Sequence, residues 1–252
     1  MIFRSSTREP STAGHPRHKL AGSGSGYAIC AGLKFRDLHG QNNKLINMRK
    51  FSHWTPRYIV NRLQLMAYAG RYPDLPWLTQ AMNDFLASWL KPTDRGAEFG
   101  SGRSTIWFAR RIAHLTSVEH DTAWHAEVSG RLQAQALHQR IDYLFAAQEE
   151  QYVAAARGLA PASLDFCLVD GICRDRCALA CIDKLKPGGA LIVDNINWYL
   201  PHSPKSRAPA SRGPGDTCES PDWETFAQAV ANWRCFWTSN GITDTAAWFK
   251  PL

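Results

Sequence analysis

The chain has 252 residues and a net charge of +7, enough for one good-sized α/β domain and a tail but not for two full domains. The charge excludes a broad nucleic-acid-binding face. Residues 1–50 hold nine Lys/Arg against two Asp/Glu, while the remaining 202 residues hold twenty of each, so the domain itself is neutral and nucleic acid is not expected as a partner.

No run reaches the roughly 18–20 apolar residues of a membrane span, and the N-terminus lacks the continuous apolar core of a secretory signal. The seven cysteines form no regular framework, which fits a reducing compartment and a cytoplasmic location. Residues 1–50 read as a disordered basic leader; sequence upstream of a start at Met48 and an Arg-rich transit peptide are the alternatives. Oligomeric state is not fixed by these features.

From Trp54 the texture changes. Tyr58, Leu63, Leu65, Met66 and Tyr68 predict a helix closed by Gly70 and Pro73. A second helix is expected from Pro76 to Leu90, ended by Lys91-Pro92. These N-terminal helices, within 51–92, are expected to lie on the sheet or cover a ligand mouth. Within 93–252 apolar strands are predicted near 95–99, 115–119, 141–146, 164–169 and 190–193. Helices near 104–112, 122–137, 149–159 and 175–185 separate them. The alternation predicts a parallel sheet with right-handed crossovers. Lys186-Pro187-Gly188-Gly189 reads as a helix stop before the fifth strand.

Cys173, Cys177 and Cys181 lie at i, i+4, i+8 and match no zinc or iron–sulfur spacing, so they are expected to pack a helix on the sheet. After a helix around 223–232, two apolar runs flank Asn240-Gly241 and predict a terminal hairpin. The segment 201–221 is read as a flexible loop over the site, either a lid or a disordered insert. Its Lys205, Arg207 and Arg212 suit an anionic or glycan acceptor, or form a solvated basic loop.

The chemistry concentrates in Gly96-Ala97-Glu98-Phe99-Gly100-Ser101-Gly102-Arg103-Ser104-Thr105, with Glu119 closing the next strand. A glycine turn between strand and helix lets a ligand approach the backbone, and a carboxylate after the second strand accepts hydrogen bonds from ribose hydroxyls. The third glycine of a dinucleotide fingerprint is replaced by Ser104 or Thr105. Glu98 would repel a pyrophosphate but suits an ammonium and a sulfonium.

On these residues the chain resembles the class I S-adenosylmethionine-dependent methyltransferases, over about Trp54 to Leu252. The resemblance implies a doubly wound, mostly parallel seven-stranded sheet with an antiparallel C-terminal hairpin, a Rossmann-like methyltransferase fold. It also implies an enzyme. Glu98, Gly100, Ser101, Gly102 and Ser104 would surround the methionine part of the cofactor, Glu119 would bind the ribose, Gln148 the adenine edge, and Asp170 would border the transferred methyl.

Strand four ends at Asp170-Gly171 and strand five at Asp194-Asn195. Three hard oxygen ligands suit Mg²⁺ or another divalent cation. The pattern resembles cation-dependent O-methyltransferases, which bind metal through an acid after strand four and an Asp-Asn pair after strand five. The lysine those enzymes use as base is absent; Arg174 stands nearest and is a poor base, though it can bind a carboxylate, phosphate or sugar hydroxyl, so the catalytic candidates are Asp170, His202 and Arg174. A metal-free site, with Asp170 and Asp194 acting as helix caps or direct ligands, is the alternative. The expected reaction is methyl transfer to a hydroxyl of a small molecule or sugar. Two rivals are kept: a non-catalytic binding module on the same fold, and a nicotinamide oxidoreductase.

Overall fold

A computed structural model of the chain describes residues 55–252; the expected leader over 1–50 lies outside the described residues. Seven strands form one sheet in the order β3-β2-β1-β4-β5-β7-β6. They are β1 (Arg95–Phe99), β2 (His114–Glu119), β3 (Ile141–Phe145), β4 (Leu164–Val169), β5 (Leu185–Asp194), β6 (Arg234–Ser239) and β7 (Asp244–Phe249). The first five pair in parallel, and β7 runs antiparallel to both β5 and β6. This is the doubly wound sheet with a terminal hairpin that the alternation and the Asn240-Gly241 turn predict. The chain winds outward through β1, β2 and β3, then returns to place β4 beside β1, so the topological switch point lies between β1 and β4.

The helices are α1 (Pro56–Arg71), α2 (Gln80–Trp89), α3 (Arg103–Ala109), α4 (Thr122–Ala134), α5 (Glu149–Gly158), α6 (Arg174–Cys181) and α7 (Pro221–Ala229). They cover both faces of the sheet. One core holds Met82 and Leu86 of α2, Trp107 and Phe108 of α3, and Val128 and Leu132 of α4. The other holds Tyr152 of α5, Cys177 and Cys181 of α6, and Trp223 and Phe226 of α7. The two cysteines are fully buried, as their helical spacing requires. Helix α1 buries no residue, so of the two N-terminal helices α2 is the one seated on the sheet.

Two elements differ from expectation. Helix α6 stops at Cys181, and β5 starts at Leu185, absorbing Lys186-Pro187-Gly188-Gly189 as a bulge. Leu164 pairs with Leu185 but Phe166 pairs with Ala190, so the extra residues are looped out of register. Gly188 takes φ +79, and the backbone of Gly188 and Gly189 bonds to Lys250. The second difference is at 201–220, which forms irregular chain tied by backbone bonds. His202 N–H donates to Arg212 O, Arg212 N–H to Asn197 O, and Glu219 N–H to Tyr199 O.

The glycines of the first loop serve unequal purposes. Gly96 faces Phe166 on β4, where a Cβ would sit 2.3 Å from the ring. Gly100 has φ +100, and a Cβ there would lie 2.7 Å from the backbone N of Gly171. Gly171 returns the contact and is itself capped by the Tyr152 hydroxyl, 2.0 Å from where its Cβ would be. Gly102 is extended, with only Trp124 within reach at 3.7 Å. Gly100→Ala is therefore expected to lower stability by about 2 kcal/mol or more, through backbone strain and a contact that cannot relax. Gly102→Ala should change it by less than about 0.5 kcal/mol, as read by urea unfolding of the two variants side by side.

Candidate active site

The cleft at the switch point has a volume of about 510 Å³ and is lined by Gly100, Ser101, Glu119, Trp124, Asp170 and Gly171, among others. Ligands of open α/β sheets bind here because the strand ends and the diverging loops leave a crevice. Glu119 ends β2 and points back at the glycine loop. Its Oε2 accepts from Ser101 N–H at 3.0 Å and Ser101 Oγ at 2.7 Å, and its Oε1 accepts from the N–H groups of His120 and Asp121 at 2.8 and 2.9 Å. The ring of His120 also lies 3.0 Å from Oε1. Burial opposes ionisation, but His120 and these donors outweigh it and hold Glu119 at about 2, while the same pairing raises His120. Glu119 is thus a fixed anion at neutral pH.

Glu98 is different. It is fully buried beneath the loop and does not line the cleft. Its Oε2 accepts from Thr105 Oγ1 at 2.6 Å and Ser117 Oγ at 2.9 Å, and Thr105 in turn accepts from Gly102 N–H at 2.8 Å. Glu98 therefore braces the turn from below instead of meeting a ligand directly, and its Oε1 has no hydrogen-bond partner. Burial pushes its pKa up to about 7 against the hydroxyls that bond it. Ser104 is buried in the first turn of α3, and Gln148 is exposed as the residue preceding α5, with no capping bond. The structure places neither in the cleft wall.

Across the cleft, Asp170, Arg174, Asp194 and Asn195 do come together, around a guanidinium. Arg174 Nε donates to Gly171 O at 2.9 Å. One terminal nitrogen donates to Asp194 O at 2.6 Å and Asn195 Oδ1 at 3.0 Å, and the other to Asp170 O at 2.7 Å and Asp170 Oδ1 at 3.0 Å. All five N–H donors of the side chain are thereby satisfied within the protein. Asp194 Oδ1 accepts from Thr245 Oγ1 at 2.5 Å, and Asn195 Nδ2 donates to Thr243 Oγ1 at 2.5 Å.

The expected divalent-cation site does not fit this arrangement. Asp170 Oδ1 and Asn195 Oδ1, two of the oxygens expected to ligate a metal, are turned onto a cation the chain already carries. Asp194 Oδ1 is taken by Thr245, and a second cation would sit against the guanidinium charge. Among the described residues, no group of three or more His, Cys, Asp or Glu is arranged to hold a metal. Burial and then the neighbouring Asp170 charge push Asp194 up to about 8; burial raises Asp170 as well, against Arg174.

His202 lies elsewhere. Its ring stacks on Trp237 at 4.2 Å, and its Nδ1 is 3.0 Å from Pro204 O. A carbonyl can only accept, so Nδ1 is the donor in this contact. It lines a neighbouring cavity of about 500 Å³ rather than the cleft of Glu119.

Trp124 of the cleft wall and Tyr143, which contacts the wall residue Ser101, escaped the sequence reading. Trp124 donates its indole N–H to Ser101 O at 2.8 Å, and Tyr143 places its hydroxyl 2.7 Å from Ser101 Oγ. The only signal for Trp124 is Asp121 three residues earlier, whose carboxylate caps α4 at Trp124 N–H.

Two measurements check this electrostatic picture. A folded-state acid raised to about 7 or 8 holds a proton that the unfolded chain releases. Glu98 and Asp194 therefore make stability fall as pH rises from about 4 to 8. Glu98→Gln, which mimics the protonated acid, is expected to flatten that decline by on the order of 1 kcal/mol in urea unfolding at pH 5 and pH 8. Arg174→Lys supplies three donors for five acceptors and is expected to lower the unfolding free energy by about 3 kcal/mol at pH 7.

No protein-family model matches the chain, and no curated protein matches it. Among solved structures it is similar to the O-methyltransferase TomG of Streptomyces achromogenes, crystallised with S-adenosylmethionine. The two are 19% identical, with 72% of this chain and 86% of that one covered and a TM-score of 0.48. It is similar to an S-adenosylmethionine-dependent O-methyltransferase of Thermotoga maritima at 12% identity, with 75% and 71% covered and a TM-score of 0.46. It is also similar to the [4+2]-cyclase SpnF, at 15% identity, 68% and 81% covered, and a TM-score of 0.44. These are likenesses of fold, at identities too low to carry a substrate or a reaction.

Proposed function

We propose that the protein is an S-adenosylmethionine-dependent methyltransferase acting on a hydroxyl of a small molecule or sugar, without a divalent cation. The observation that carries this reading is the ionised Glu119 at the end of β2, facing a cleft at the switch point with Asp170 on the opposite wall.

The residues fit the cofactor. Glu119 is an acceptor-only anion placed for paired ribose hydroxyls, and Ser101 can release Glu119 Oε2 by turning its hydroxyl to Tyr143. Trp124 and Gly100 wall the cleft, and Glu98 with Thr105 keeps the turn in shape beneath it. Bound S-adenosylmethionine supplies a methyl group on a sulfonium, ready for in-line displacement by an acceptor oxygen.

What remains for the chain is to hold the acceptor, exclude water and take up the hydroxyl proton. Asp170, on the wall opposite Glu119, is able to accept that proton. Its carboxylate reaches the cleft while Arg174 fixes its orientation, and burial makes it more basic than a free carboxylate. Arg174 holds the loops and neutralises charge at the place where related enzymes use a metal.

Calorimetric titration of S-adenosylmethionine and its demethylated product tests the cofactor half. Micromolar binding lost in Glu119→Ala is expected, and absence of binding by the folded protein overturns the reading. Excess EDTA should leave affinity and any turnover unchanged. Asp170→Asn should retain cofactor binding within about threefold while lowering turnover by about 10²-fold or more.

A further inference from the structure

A second and larger hollow, of about 790 Å³, opens on the same edge of the sheet. Its walls are the first turn of α1, the 3-10 turn at Ile196–Trp198, and the irregular chain between 205 and 217. It shares Arg57, Asn61, Lys205 and Arg207 with the cavity that His202 and Trp237 line.

The charge in this hollow is one-sided. Arg57, Lys205, Arg207 and Arg212 all line it, against Asp216. Asp216 stands 3.8 Å from Lys205 and also accepts from Gly213 N–H. Arg212 is bound through Nε to Trp198 O and through a terminal nitrogen to Thr217 O, so its fork is fixed but no carboxylate neutralises it. Neither Arg57 nor Arg207 has an ion pair among the described residues. Asp244, in the adjoining cavity, is fully buried and taken up by Ser206 Oγ and Trp237 Nε1, each at 2.8 Å.

Residues 51–252 hold equal numbers of acids and bases, so this concentration is local rather than a consequence of overall charge. Like charges converging on a concavity repel one another until an anion occupies it. The volume is that of a small-molecule pocket, and four basic residues gathered round one hollow are not the extended stripe a nucleic acid needs.

The hollow is also linked to the loop after β5, whose Asn195 is held by Arg174. Trp198 follows Asn195 by three residues, and Asn195 is tied through Thr243 to the β6–β7 turn, where Gly241 forms part of the wall. The flat His202–Trp237 stack beside it offers a face for a ring.

We propose that this hollow binds the anionic group of the methyl acceptor, a phosphorylated or carboxylated small molecule whose ring lies toward His202 and Trp237. Its role as acceptor site rests on the methyltransferase reading; the anion site itself does not. Arg57 and Arg207 are the cations free to form paired hydrogen bonds with phosphate or carboxylate.

The test is calorimetric titration of the full chain at low salt with glucose 1-phosphate, glucuronate and glucose. At least one anion should bind and glucose should not, and which anion binds distinguishes phosphate from carboxylate. The Arg57→Ala/Arg207→Ala double variant should weaken that binding at least about tenfold, with S-adenosylmethionine affinity unchanged. Both side chains are exposed and have no ion pair among the described residues, so their removal leaves the fold intact. Anion binding without cofactor binding would uphold the site and sink the methyltransferase reading. Failure of both anions to bind, or equal binding by the double variant, overturns the site. Tight, salt-sensitive binding of a single-stranded oligonucleotide that displaces the sugar phosphate would overturn the small-molecule assignment.

Discussion

The functional edge of the sheet depends on one buried guanidinium. Asp170 and Gly171 lie just beyond the end of β4 and Asp194 is the last residue of β5, so their carbonyls stand at the margin of the parallel ladder. Arg174 collects all three together with the side chains of Asp170 and Asn195. It thereby fixes two loops from adjacent strands in one arrangement and opposes, at the Asp170 carboxylate it pairs with, the rise in pKa that burial causes. A metal ion could meet the same electrostatic need. In this chain the charge is covalently attached, and it arrives with the geometry of a planar five-donor fork.

The two glutamates of the cofactor half show how placement decides chemistry. Glu98 and Glu119 end neighbouring strands and lie on either side of the same loop. Four donors and a nearby imidazole hold Glu119 ionised, whereas Glu98 meets only hydroxyls in a dry interior and is poised near neutrality. One faces the cleft, the other supports the turn.

Much of this was legible in the sequence. The apolar runs placed β1 and β4 at their observed ends, and the acid after β2 identified the cleft, because both signals are local. The misreadings share a different origin. Gly100 lines the cleft, and the part of its role that the sequence hid is that its missing side chain also makes room for Gly171, seventy-one residues away. Lys186-Pro187-Gly188-Gly189 looked like a helix stop and is a bulge whose partners lie at Lys250 and on β4. Arg174 looked like a weak substitute for a lysine base, and its five acceptors come from two loops. Each of these rests on contacts between distant segments, which spacing along the chain does not encode.

The contact of Gly100 with Gly171 has a further consequence. Backbone meets backbone there with no side chain between them to change rotamer, and the Tyr152 ring closes the space behind. The loop beside Glu119 and the loop carrying Asp170 therefore bear directly on each other, and neither can be displaced toward the other. A ligand arriving in the cleft meets walls already at their working separation. The entropy of ordering those walls is lost when the chain folds rather than when the ligand binds.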